Sequence, residues 1–98
     1  METVEAGGAV VEVTIYTTRV CPYCHAAKRL LRSEGVEFRE VSLDGRAELR
    51  RRLAAENDGW RTVPMVFIGS RFVGGYDDLR RLQRTGELRR MLGGEDVA

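Results

Sequence analysis

The 98-residue chain contains two cysteines, one histidine, one lysine (Lys28) and two prolines. A tetrahedral zinc site takes four ligands, and Cys21, Cys24 and His25 leave it one short unless a carboxylate joins them, so no metal is expected. Two cysteines also exclude a multi-bridge scaffold. A bridge between these two would close a four-residue loop and stabilise by about 2 kcal/mol on chain entropy, against roughly 4.7 kcal/mol for a 100-residue loop. No stretch approaches the roughly 18 apolar residues of a membrane span. Neither charge dominates: 16 basic residues against 15 acidic ones give a net charge of +1, which argues against bulk binding to nucleic acid or an anionic membrane. The basic set is almost entirely arginine. The first residues show no basic segment followed by an apolar one, so the expected compartment is the reducing cytoplasm.

What the chain does have is Cys21, Pro22, Tyr23 and Cys24, a C-x-x-C pair between an apolar run, Val11 to Tyr16, and a helical pattern. The thiolate is the nucleophile in disulfide exchange, and a cysteine at a helix N-terminus has its thiolate favoured by the macrodipole and unpaired N–H groups. Cys21 is so placed. Cys24, on the next turn, is within reach to attack a mixed disulfide formed at Cys21 and release the substrate. The pair therefore supplies an attacker and a resolver. Cys21 to His25 also spells C-x-x-C-H, the attachment signature of haem c; the absence of an export-type segment weighs against that chemistry, leaving His25 as a helix-surface residue or a weak modulator of the thiols.

One domain is expected over residues 11–92, flanked by a loose tail at 1–10 and a short one at 93–98. Val11, Val13 and Ile15 alternate with more polar residues in a strand ending near Thr17. Ala26, Ala27, Leu30 and Leu31 recur at helical spacing until Ser33, Glu34 and Gly35 end the helix. Val36, Phe38 and Val41 mark a second strand. Asp44 or Gly45 can start a second helix that Asn57, Asp58 and Gly59 end. Arg50, Arg51 and Arg52 lie on it and read most simply as a solvated face. Val63 to Ile68 and Arg71 to Val73, joined by Gly69 and Ser70, form a hairpin. Tyr76 to Leu92 gives one or two helices with a break near Gly86. The order β-α-β-α-β-β-α fits an α/β fold, a four-stranded mixed sheet flanked by helices: the crossover makes the first two strands parallel and the hairpin makes the last two antiparallel. Periodicity alone leaves several topologies open.

Three separated motifs, CPYC at Cys21 to Cys24, TVP at Thr62 to Pro64 and GGYDDL at Gly74 to Leu79, narrow the choice. In this order and spacing they resemble the dithiol glutaredoxins, close to the small bacterial glutaredoxin 3 type. The resemblance runs from about Val11 to Leu92. It implies the thioredoxin fold and a monomeric, glutathione-dependent oxidoreductase that reduces protein disulfides and glutathione mixed disulfides, with glutathione as co-substrate.

The resemblance also implies roles for particular residues. Cys21 and Cys24 are the catalytic dithiol. Pro64 follows a cis peptide bond, and Thr62 and Val63 beside it belong to the glutathione site, where the Val63 backbone pairs with the cysteinyl backbone. Gly75, Tyr76, Asp77 and Asp78 hold the γ-glutamyl end at a helix start; the aspartates also suit simple helix capping. Tyr23 lies at the rim, and Arg19 and Arg51 serve the glycyl carboxylate. The chain departs from the family pattern at Thr18, where many relatives carry lysine, and at Met65, where many carry glutamine or arginine. Two other functions are compatible with the motifs: a glutaredoxin-like thioredoxin reduced by thioredoxin reductase, and a dimeric carrier holding a [2Fe–2S] cluster through Cys21 and glutathione.

Overall fold

A computed structural model describes residues 11–93. The expected tail at 1–10, and all of the 93–98 segment except Gly93, lie outside the described residues. Strand β1 (Val13–Thr17) buries Val13, Ile15 and Thr17 on one face, as the period of two requires. Helix α1 (Pro22–Ser33) opens with proline at its first position, where the missing N–H leaves no hydrogen bond unmade, and buries Cys24, Ala27, Leu30 and Leu31 along one stripe.

Helix α1 ends in a Schellman motif: Gly35 N–H donates to the Arg32 carbonyl and Val36 N–H to the Leu31 carbonyl, both at 3.0 Å. Gly35 takes φ of +71°, open to glycine at little cost. This cap explains a difference from the sequence reading. Strand β2 is Arg39–Ser42 and does not include Val36 or Phe38. Val36 is still tied to the helix end, and both apolar residues pack against the core from the connection. Helix α2 (Ala47–Glu56) likewise starts later than Asp44 or Gly45. Arg46 N–H closes a turn on the Leu43 carbonyl at 3.0 Å, and Gly45 sits at φ +71°, outside helical space.

Strands β3 (Met65–Ile68) and β4 (Arg71–Gly74) form the expected hairpin, followed by α3 (Tyr76–Thr85), a break at Gly86, and α4 (Glu87–Met91). The sheet order is β2-β1-β3-β4. Strand β1 runs parallel to β2 and antiparallel to β3, with Ile15 opposite Glu40 on one side and Val66 on the other. A bulge at Val66 and Phe67 shifts the β3–β4 register.

Alternation divides the strands between two cores. Val13, Ile15, Val66 and Ile68 meet Ala27, Leu30 and Leu31 of α1, Leu79 of α3 and Leu88 of α4 on one face. On the other, Met65 meets Leu43 and Leu53, with Tyr16, Trp60, Phe67 and Phe72 around them. The result is a three-layer α/β sandwich with the β-α-β-α-β-β-α order of the thioredoxin fold. Its sheet places the end of β1 and the start of α1 beside the start of β3, where the thiols lie.

Candidate active site

Cys21 is the N-cap of α1, with extended backbone at φ −156° and ψ 99°. Its sulfur accepts the Cys24 N–H at 3.1 Å, the bond a serine or aspartate oxygen makes at other helix starts. That N–H and the positive end of the α1 dipole both face this sulfur. The Cys21 thiol also faces the Val63 carbonyl, Sγ to oxygen 3.7 Å. Cys21 is 8% exposed and Cys24 fully buried, both as free thiols. Burial, and then the hydrogen bond with Cys21, push the Cys24 thiol up to about 12 from an ordinary 9.0. Two cysteines three residues apart thus have distinct environments: Cys21, nearly buried, caps the helix end with its sulfur facing the Val63 carbonyl, and Cys24 is a fully buried thiol beneath it.

Beside Cys21 lies a cleft of about 300 Å³ lined by Tyr23, Trp60, Thr62, Val63, Pro64, Gly75, Tyr76, Asp77 and Asp78. The Val63–Pro64 peptide is cis. Eight of the residues singled out from the sequence therefore converge on one concavity. Tyr23, 64% exposed, stacks on Tyr76 with ring centroids 6.2 Å apart. Gly75 is the N-cap of α3, and its N–H donates to Asp78 Oδ2 at 3.0 Å while Asp78 Oδ1 pairs with Arg81 at 2.9 Å. Asp78 is thereby committed to the helix start. Asp77 has no ion-pair partner among the described residues.

Arg19 and Arg51 are not among the cleft's lining. Arg19 is exposed, and its backbone N–H donates to Asp44 Oδ2 at 2.9 Å, tying the thiol loop to the β2–α2 connection. Arg51 lines grooves along α2 with Ala47 and the neighbouring arginines. Sequence reasoning missed two residues. Trp60 forms a cleft wall, its indole N–H donating to the Thr62 carbonyl at 3.1 Å and its ring meeting Phe72 edge-on at 5.2 Å. Val20, 85% exposed, is an apolar side chain immediately before Cys21 in the chain. The signal for Trp60 was its position two residues before Thr62. Among the described residues no group of three His, Cys, Asp or Glu side chains is placed to hold a metal, and no helix is long and apolar enough to cross a membrane.

The glutaredoxin family model matches residues 13–73, from β1 to the end of the hairpin. The chain belongs to the glutaredoxin family. It is 51% identical over 80 residues to a glutaredoxin of Pseudomonas aeruginosa, covering 82% of this chain and 94% of that one. It is 47% identical over 76 residues to glutaredoxin 3 of Escherichia coli, covering 78% and 90%. Among solved structures, the glutaredoxin from Brucella melitensis superposes with a TM-score of 0.80 at 42% identity, over 95% of this chain and all of that one. The buckwheat glutaredoxin–glutathione complex superposes with a TM-score of 0.77 at 30% identity, over 84% and 76%. As a glutaredoxin, the chain is a redox-active thiol–disulfide oxidoreductase of the thioredoxin fold.

Proposed function

We propose that the chain reduces glutathione mixed disulfides and protein disulfides with glutathione as co-substrate, as a monomer in the cytoplasm. The observation that carries this is the cleft joining Cys21, the Val63 backbone and the N-terminus of α3, together with the likeness to a glutaredoxin solved with glutathione. An extended tripeptide in the cleft would pair its cysteinyl backbone with Val63 and present its sulfur to Cys21. Its γ-glutamyl carboxylate would meet the free N–H groups of α3. Asp77 is the carboxylate left to take the neighbouring ammonium, since both oxygens of Asp78 are engaged. Tyr23 and Tyr76 would flank the backbone, with Trp60, Thr62, Pro64 and Gly75 forming the walls. Arg19 and Arg51, outside the lining, act on the anionic tripeptide by long-range attraction.

In the reaction, the Cys21 thiolate attacks the glutathionyl sulfur of a mixed disulfide. The new S–S bond forms as the old one breaks, and the substrate leaves as a thiolate that takes a proton. A second glutathione thiolate attacks the sulfur now on Cys21, giving glutathione disulfide and restoring the Cys21 thiolate. With a protein disulfide, Cys21 is first joined to the substrate; Cys24 then loses its proton, attacks Cys21 Sγ and expels the substrate thiol. Two glutathiones reduce the resulting Cys21–Cys24 bond. Cys24→Ser therefore keeps turnover of a small glutathione mixed disulfide and loses most protein-disulfide reduction, whereas Cys21→Ser loses both. Equal loss of both activities in Cys24→Ser would defeat this division of labour.

A further inference from the structure

The only lysine in the chain is held in a polar cluster beneath the dithiol that the reaction above does not use. Lys28 Nζ pairs with Glu40 Oε2 at 2.9 Å, with the lysine side chain 15% exposed and the glutamate 37%. The same oxygen accepts the hydroxyl of Thr17 at 2.7 Å, from a residue only 2% exposed. Three elements meet here: the end of β1, the second turn of α1 and the edge strand β2. The lysine is mostly covered while the glutamate reaches solvent, so the position of the pair is the feature to explain.

Lys28 is four residues after Cys24 on one continuous helix, so the two share a face. Side chains on a helix lean toward its N-terminus and cover the preceding turn, which carries the Lys28 stem back toward Cys24. We propose that Lys28 is a positioning residue for the resolving step: fixed by Glu40 and Thr17, its ammonium stabilises the negative charge that Cys24 Sγ acquires as it attacks the mixed disulfide at Cys21. The step is balanced. Cys24 gives up its proton, the Cys24–Cys21 bond forms, the bond from Cys21 to the substrate sulfur breaks, and the departing thiolate takes up a proton.

Burial is the chief obstacle to an ionised Cys24 sulfur, and Lys28 is the charged side chain that offsets it. The groups that act on it are few. The Thr18 backbone hydrogen bond and Lys28 favour the thiolate, while burial and Cys21 oppose it. Glu40, across on β2, carries its own charge readily because the Thr17 hydroxyl, Lys28 and Arg32 all favour it. Helix α3, packed on the other side of α1, brings Gln83 to Glu34 at the far end of the helix, away from Lys28. Glu40 thus serves as the anchor that sets where the ammonium sits. The inference rests on the proposed roles of Cys21 and Cys24, and concerns only the second.

The test is a stopped-flow single turnover of the full reduced chain with an aromatic disulfide whose thiol is coloured. The first coloured thiol leaves when Cys21 attacks, and the second when Cys24 resolves. For a thiol far below its ionisation range, each unit added to its pKa slows attack by about three- to fourfold once nucleophilicity is counted. In Lys28→Met the ratio of second-phase to first-phase rate is expected to fall at every pH from neutral to mildly alkaline, by that factor for each unit by which loss of the ammonium raises the thiol, and Lys28→Arg to restore most of it. An unchanged ratio in Lys28→Met overturns the proposal. So does Lys28→Arg as slow as Lys28→Met, which would assign the effect to packing, and so does equal slowing of both phases, which would assign it to Cys21 or to the fold. No glutathione enters this assay, so a failure of the glutathione reading would show separately, as loss of glutathione-coupled turnover by the unmodified chain.

Discussion

Gly74 ends β4 immediately before the cleft wall, and replacing it with alanine tests how the start of α3 is built. Its φ is +122°, a conformation side chains other than glycine's scarcely adopt, and holding alanine there costs about 1–3 kcal/mol. A Cβ at this position would also collide with Asp78, meeting Oδ2, Cγ at 2.7 Å and Cβ at 3.1 Å. Asp78 would have to swing away and release the Gly75 N–H, losing a helix cap of about 1 kcal/mol. The sum is about 2–4 kcal/mol, which for a domain of this size lowers the midpoint of thermal unfolding by about 8–32 °C. Calorimetry on Gly74→Ala, Asp78→Ala and the double variant separates the two parts. Because alanine at position 74 already displaces Asp78, the double variant should be about as stable as Gly74→Ala alone. A Gly74→Ala cost below about 0.5 kcal/mol refutes the backbone argument, and strict additivity in the double variant refutes the collision.

The two cysteines should differ toward an alkylating agent. In the reduced chain at neutral pH, iodoacetamide is expected to modify Cys21, which keeps 8% exposure, and leave Cys24, which has none and has its thiol pushed up to about 12, as peptide mass mapping would show; comparable labelling of both contradicts this. Acid should act through Glu40, whose carboxyl is held below its ordinary 4.5 by the Thr17 hydroxyl and by Lys28. A depressed folded-state value contributes stability above the unfolded value and loses it as pH falls through the folded one. Wild type should therefore lose more stability than Glu40→Gln below about pH 4.5, measured as denaturation midpoints against pH, and parallel curves would exclude a contribution from Glu40.

The sequence was most legible where one local rule decided the outcome. Alternation at Val11, Val13 and Ile15 pointed to β1, whose inward face carries Val13 and Ile15, and helical spacing at Ala27, Leu30 and Leu31 pointed to the buried stripe of α1. Spacing also placed Cys21 at a helix start, where the structure makes it the cap. Local rules failed where tertiary structure chose between equally good local options. Val36 and Phe38 alternate like a strand, yet the Schellman cap keeps Val36 on the helix end and the strand begins only where β1 offers partners, at Arg39. Asp44 looks like a helix cap but is drawn to the Arg19 N–H, a residue 25 positions earlier that no local pattern could supply. The cleft was legible in its motifs and not in its walls. Trp60 enters it because the Thr62 carbonyl and Phe72, a residue of β4 twelve positions later, orient the ring. Arg51 was aligned with the site but lies along α2, beyond the lining.

The most direct test of glutathione dependence is NADPH consumption during reduction of a small glutathione mixed disulfide. One cuvette holds the chain with glutathione and glutathione reductase, another the chain with thioredoxin reductase alone. Turnover confined to the first is the expected result, with Cys21 drawing its electrons from the tripeptide in the cleft. Turnover confined to the second would contradict it, leaving the cleft at the start of α3 as part of the fold and thioredoxin reductase as the electron donor.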